Sequence, residues 1–235
     1  MLFRSVYESH GCLATDGSKI GSNSTGATFS FYFGHHMTTI EGGFVCTNDD
    51  KLYSIMKSKR SHGLARELPT ADFAQAKKDY PDINPHFLFI TEGYNVRNHE
   101  ICAVLGSSQL KRLDNMIAIR KRNYKMFCDI MQKYVDLFHL PSDSQSNSSY
   151  AFPLVAKDKV LADRLKVNLE KNGIETRPIV SGNLLRQPFL KGYIMEGGMD
   201  KPSYVEVLHN NGVYVGNNHF IGSKELQLLD KVIRE

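Results

Sequence analysis

Residues 30–43 read Ser-Phe-Tyr-Phe-Gly-His-His-Met-Thr-Thr-Ile-Glu-Gly-Gly, and this stretch decides how the chain is understood. The β-branched and aromatic run at 27–33 predicts a strand. A tight turn with two imidazoles, His35 and His36, follows it. Thr38, Thr39 and a Glu41-Gly42-Gly43 turn lead back out. The Ser30 hydroxyl and the His35 imidazole stand five residues apart across the strand end. Such a pair suits a phosphorylated ligand: the hydroxyl binds the phosphate, and a group titrating near neutrality addresses what the phosphate carries. By itself a His-His pair is more often structural or incidental than catalytic, and zinc would need a third ligand at sensible spacing.

Outward from this stretch, the pattern is α/β. Residues 2–7 and 43–48 predict strands, and 11–26 a Gly/Ser/Thr/Asn-rich loop. Asn48-Asp49-Asp50 is a cap for a helix over 51–61, and Asn98 for one bearing Ile101, Val104 and Leu105. Residues 62–96, with Pro69, Pro81 and Pro85, predict irregular structure. Tyr124, Phe127, Cys128, Met131, Tyr134, Val135 and Phe138 hold helical spacing and predict a core or subunit-contact face. A polar loop at 141–149 separates a first part, 1–140, from a second, 141–235. The second part predicts a strand at 150–155 and a helix with Leu161, Leu165 and Leu169, closed by Asn172-Gly173. A strand at 174–179, a short helix near 202–210 and a strand at 212–216 follow. A last helix over 223–234, capped by Ser223, turns Leu226, Leu229 and Ile233 inward.

Composition narrows the function classes. The chain has 235 residues, 41% of them hydrophobic, and a formal charge of +4. That charge is too mild to argue for nucleic acid. No apolar run of about 18 residues predicts a membrane span. The residues after Met1 show no hydrophobic signal region, so no secretory leader is expected. Cys12, Cys46, Cys102 and Cys128 are scattered singly. They predict reduced thiols in a cytoplasmic protein rather than disulfides, a metal centre or an iron–sulfur cluster.

The 30–43 stretch resembles the active-site segment of the DegT/DnrJ/EryC1/StrS family, fold-type I pyridoxal-phosphate enzymes acting on nucleotide-linked keto sugars. The match runs through Ser30, Phe31, Tyr32, Thr38, Thr39, Glu41, Gly42 and Gly43. His35 stands where most members carry the Schiff-base lysine. That exchange resembles the family's 3-dehydratases of 4-keto-6-deoxy sugars, of the GDP-4-keto-6-deoxymannose type. Further resemblance lies in Arg60-Ser-His62-Gly63, in Gly93-Tyr94-Asn95-Val96-Arg97, in 173–183 and in 211–219. It implies pyridoxal or pyridoxamine 5′-phosphate held without a lysine, His35 as base, and L-glutamate as amino donor. The pathway implied is deoxysugar and surface-polysaccharide biosynthesis. Ser30, Glu8, Asn95 and His36 would hold the cofactor, with Asn95 reaching that of a second subunit in a homodimer. Arg177 and His219 would meet the sugar nucleotide or glutamate. The plain alternatives are a turn residue for Asn95, a surface cation for Arg177 and a loop histidine for His219.

The resemblance also marks a departure. Family chains carry a phosphate cradle and a ring-stacking aromatic upstream, and an Asp for the pyridinium nitrogen. Aligned on Glu8-Ser9-His10-Gly11, that Asp position falls at Ser5. The expectation is a fragment: residues 1–140 as the remnant of the large cofactor-binding domain with its following helices, and 141–235 as the small C-terminal domain. The competing functions are a sugar aminotransferase, which the missing lysine disfavours, and a non-catalytic dimerising scaffold.

Overall fold

The computed structural model describes residues 3–5, 9–142, 147–190 and 204–235. Two compact units emerge, one from residues 1–8 and 18–111, the other from 9–17 and 112–235.

The first unit holds a three-stranded sheet. Strand β1 (Phe3–Ser5) pairs in parallel with β2 (Gly26–Ser30), and β2 pairs antiparallel with β3 (Gly43–Cys46). Phe44 of β3 packs its ring 4.8 Å from Phe29 and 4.8 Å from Phe31. The strand predicted over 27–33 stops at Ser30. There the Phe31 amide turns to the Gly42 carbonyl (2.8 Å) and the Tyr32 amide to Ser30 Oγ (3.2 Å), leaving the ladder. Helix α1 (Asp50–Lys59) starts on Asp49, whose carboxylate accepts from the Leu52 amide. Residues 62–96 are not wholly irregular as expected, because α2 (Thr70–Asp79) lies among them. Its signal is faint: Pro69 stands just before it, and Phe73 and Ala76 alone face the small cluster of Ala65 and Leu88. Helix α3 (Glu100–Leu110) buries no residue within this unit, and its cap position falls to His99 rather than Asn98.

The second unit contains the main core. Helix α4 (Leu113–Met131) precedes a sheet of order β4-β5-β7-β6, antiparallel throughout. Its strands are β4 (Phe138–His139), β5 (Ala151–Ala156), β6 (Arg177–Pro178) and β7 (Gly212–Gly216). Helices α5 (Lys159–Lys171), α6 (Tyr204–Asn211) and α7 (Ser223–Arg234) complete it. Tyr124, Phe127 and Met131 of α4 join Phe152 and Leu154 of β5, Leu165 and Leu169 of α5, and Leu226 and Leu229 of α7. Phe127 and Phe152 stack at 4.8 Å.

Several boundaries differ from expectation for local reasons. The apolar run from Tyr124 is not one helix to Phe138. A 3-10 turn (Gln132–Tyr134) follows α4, and Phe138 is a strand residue opposite Ala156. Helix α4 buries its apolar face in this core, and the compact units part between 111 and 112. The strand expected over 174–179 shrinks to the two residues that pair with β7. Helix α7 is capped at Gly222, whose amide donates to the Glu225 carboxylate at 2.8 Å, so Ser223 is already its first helical residue. Gly173 closes α5 at φ 71°, a left-handed cap as its position predicted.

Truncating a stacked ring at the centre of this core leaves a cavity with few atoms able to fill it. Phe127→Ala is expected to cost about 3–5 kcal/mol in urea denaturation of the second unit. Val160→Ala, at an exposed site on α5, should stay within about 0.5 kcal/mol of the parent.

Candidate functional site

In the first unit, residues 31–42 form a closed loop at the joined ends of β2 and β3. The Phe31 amide donates to the Gly42 carbonyl, and the Thr39 amide to the Phe31 carbonyl, each at 2.8 Å. Each residue of the Thr-Thr-x-Glu-Gly-Gly run has a local task. Thr38 Oγ1 accepts from the Ile40 amide at 3.0 Å, and Thr39 Oγ1 donates to the Glu41 carbonyl at 2.6 Å. These bonds hold Ile40 at φ 72°, a left-handed conformation costly for a β-branched residue. A Cβ on Gly42 would collide with Asn98 and Thr39, and one on Gly43 with the Phe29 carbonyl. Strain held in this way is a mark of functional loops.

Ser30, His35 and His36 are brought together on this loop. Ser30 is half-buried, and its Oγ accepts from the Tyr32 amide, which leaves the hydroxyl hydrogen to donate elsewhere. His35 is half-buried and sits edge-on to Tyr32, ring centroids 6.3 Å apart. His36 is buried, with only 2% of its surface exposed. From α3, Gln109 clamps the loop by accepting from the Thr38 amide at 3.0 Å and donating to the Thr38 carbonyl. Nothing in the sequence marked Gln109, which stands 71 residues from Thr38. Glu8 lies outside the described residues.

Asn95 is placed by a backbone crossing of two segments that are distant in sequence. Ser61 and Asn95 pair as an antiparallel bridge, the His62 amide donates to the Tyr94 carbonyl (2.8 Å), and the Val96 amide to the Arg60 carbonyl (3.0 Å). Gly63 and Gly93 meet at the crossing. A Cβ on Gly63 would collide with the Thr91 carbonyl, and one on Gly93 with the Gly63 amide. Ser61 is fully buried there, while Asn95 stays exposed.

In the second unit, Arg177 is exposed on β6, opposite Tyr214, and ion-paired with Glu175 at 3.0 Å. His219 follows the end of β7, its ring 4.0 Å from that of Phe220. The segments that carry these two residues border one cavity of about 390 Å³, through Glu175 on one side and Asn218 on the other, above Phe152 and Val215. Burial lowers the His219 pKa below the ordinary histidine value, and the charges of Arg120 and Arg112 act in the same direction. Among the described residues no group of three or more His, Cys, Asp or Glu could hold a metal ion, and no helix is long and apolar enough to cross a membrane.

Residues 4–201 match the profile of the DegT/DnrJ/EryC1/StrS aminotransferase family. The GDP-4-keto-6-deoxy-D-mannose 3-dehydratase of Escherichia coli O55:H7 is 33% identical over 211 residues, which are 88% of this chain and 54% of that protein. A solved E. coli GDP-4-keto-6-deoxy-D-mannose 3-dehydratase with bound hydrated PLP superposes with a TM-score of 0.88 at 30% identity, covering 99% of this chain and 60% of that one. A GDP-4-keto-6-deoxymannose 3-dehydratase solved with a trapped PLP–glutamate geminal diamine gives 0.82 at 29% identity, over 94% and 57%. The chain thus spans little more than half the length of these relatives, and its fold is the α/β, fold-type I architecture that the motifs implied.

Two substitutions test the placement of these residues. Gly63→Ala should release the Ser61–Asn95 pairing and speed amide exchange at His62 and Tyr94. Gly17→Ala, at φ 80° but with no heavy atom within 4 Å of the new Cβ, should show backbone strain alone, about 1 kcal/mol. The lowered His219 pKa sets a pH dependence. A folded chain that binds a proton less readily than the unfolded one loses stability as pH falls from the ordinary histidine value toward the lowered one. Tm should fall across that window, and His219→Asn should flatten the fall.

Proposed function

The chain belongs to the DegT/DnrJ/EryC1/StrS aminotransferase family, and from that premise we propose that it carries the proton-transfer half of a sugar 3-dehydratase site. The reaction is removal of the C3 hydroxyl from a nucleotide-linked 4-keto-6-deoxyhexose. The observation that carries this reading is His35 at the lysine position of the 30–43 loop, with no lysine anywhere from Gly26 to Cys46.

The residues fit a phosphorylated cofactor held without a covalent bond. Ser30 has a hydroxyl hydrogen to give to a phosphate, and the loop fixes the position of that hydroxyl relative to His35. When bound, pyridoxal or pyridoxamine phosphate supplies an electron sink beside the sugar C4 ketone. His35 would move the proton: a ring nitrogen would take up the one lost from the amino-bearing carbon of the bound pyridoxamine form and, once protonated, give it to the departing C3 oxygen. His36, which is buried, helps hold the cofactor phosphate or orients His35. Arg177 and His219 meet the sugar nucleotide or the glutamate that restores the amino form of the cofactor. Asn95 reaches the phosphate at a second subunit's site. A homodimer would also cover the exposed apolar side chains of α3, Ile101 and Val104. On this reading residues 1–140 correspond to the end of the large domain and 141–235 to the small one. The product feeds deoxysugar and surface-polysaccharide synthesis in the cytoplasm, a compartment that suits cysteines outside any disulfide.

The test is incubation of the chain with pyridoxal phosphate, L-glutamate and GDP-4-keto-6-deoxymannose. The expected result is a 3-deoxy-4-keto sugar with release of ammonia and 2-oxoglutarate, lost in His35→Asn. A cofactor fixed to a lysine by borohydride, or an amino sugar as product, overturns the dehydratase reading in favour of a transaminase. A stable dimer with neither product nor bound cofactor overturns it in favour of a scaffold.

A further inference from the structure

Arg120, in the middle of α4, is a buried cation without a counter-charge among the described residues. Only 3% of its surface is exposed, and among the described residues it forms no ion pair with a carboxylate. Its Nη1 donates to the Asn217 carbonyl, while its Nε has no hydrogen-bond partner among those residues. Desolvation lowers its pKa to about 10, which still leaves it charged at neutral pH. A guanidinium withdrawn from water without a carboxylate is expensive to fold around. What it holds is therefore informative.

It holds one end of the 217–221 loop. Asn217 is itself buried. Its Nδ2 donates to the Arg120 carbonyl (3.1 Å) and the Ser149 carbonyl (2.8 Å), and its amide donates to the Tyr150 carbonyl (2.6 Å). The other end is held from the same helix. Asn123, one turn beyond Arg120 and on the same face, donates to the Ile221 carbonyl at 2.8 Å. His219 lies midway between the two fastenings.

We propose that Arg120 is a positioning residue for His219: together with Asn123 it clamps both ends of the 217–221 loop to α4 and fixes where the imidazole is presented to the substrate. The substrate end of this statement rests on the proposed function; the clamp does not. The charged groups that act on His219 are Arg120 and, just before α4, Arg112. Both disfavour its protonation. A neutral imidazole can accept a hydrogen bond from a sugar hydroxyl, which an imidazolium cannot.

The experiment is an NMR titration of His219 in the whole chain, without cofactor or sugar, together with amide exchange over 217–221. In Arg120→Met the His219 titration should shift upward toward the ordinary histidine range, and exchange in the loop should speed up. Arg120→Lys, which keeps the charge, should hold the titration low. Asn123→Ala should speed exchange around Ile221 with Arg120 intact. An unchanged His219 titration together with unchanged loop exchange in Arg120→Met overturns the proposal. Should that variant fail to fold, unchanged exchange in Asn123→Ala overturns it. If the titration shifts but His219→Asn leaves affinity for GDP-4-keto-6-deoxymannose unaltered, the clamp stands and the substrate role of His219 falls.

Discussion

The backbone closure between Phe31 and Gly42 is the contact on which the candidate chemistry depends. It forms only because Gly43 brings no Cβ against the Phe29 carbonyl, so β3 can run close beside the end of β2. Once the loop is closed, a hydroxyl that ends one strand and an imidazole in the following turn share a fixed frame. The two threonines then satisfy polar groups inside a loop too tight for ordinary turn geometry, and Ile40 is held in a conformation it would not choose. Gln109 adds a second anchor from α3, and ties the loop to a helix that otherwise buries nothing in its own unit. A loop pinned at its neck and flank can hold a proton-transfer group in place without spending binding energy on ordering it.

The same device recurs where the chain crosses itself at Gly63 and Gly93. Two glycines allow two backbones to meet, and the ladder from Ser61 to Asn95 follows. Asn95 is thereby presented outward on a rigid mount rather than on a free loop. Among the described residues, the buried apolar cluster of the unit that bears both devices is small, Ala65, Ala76 and Leu88. The second unit is the reverse. Its helices and sheet enclose a continuous aromatic and aliphatic core, and its polar network of Arg120, Asn123 and Asn217 fastens a single loop.

How much of this could be read from the sequence divides by the range of the interaction. Strand and helix signals that repeat locally were legible: the leucines of α5, the inward face of α7, the glycine cap at Gly173. Helix α2 was not, because its buried face amounts to Phe73 and Ala76 and its start lies against a proline. At Phe138 the helical spacing of apolar residues misleads, because it continues by coincidence through a 3-10 turn and into a strand. The 30–43 motif was legible as a motif, but the reason for each of its residues was not, since Asn98 and Gln109 act across the fold. Arg120 gave no signal at all, as an arginine within a helix is ordinarily a solvated one.

The exchange of lysine for histidine has a consequence that follows from elementary chemistry. A lysine at this position does two jobs: its amine holds the cofactor covalently and also carries protons. An imidazole keeps the second job and gives up the first. On the proposed function, retention of a cofactor would fall on non-covalent donors such as Ser30 and Asn95, and the rigidity of the loops that present them would matter more than in a lysine enzyme. An imidazole near neutrality also alternates readily between base and acid, which is what removal of a hydroxyl requires: the proton taken up must be delivered to a poor leaving group. Substitution of one residue thus shifts the demand from covalent capture to positional precision. On that reading the glycine-dependent closures at Gly43 and Gly63 are the features of this chain that would supply it.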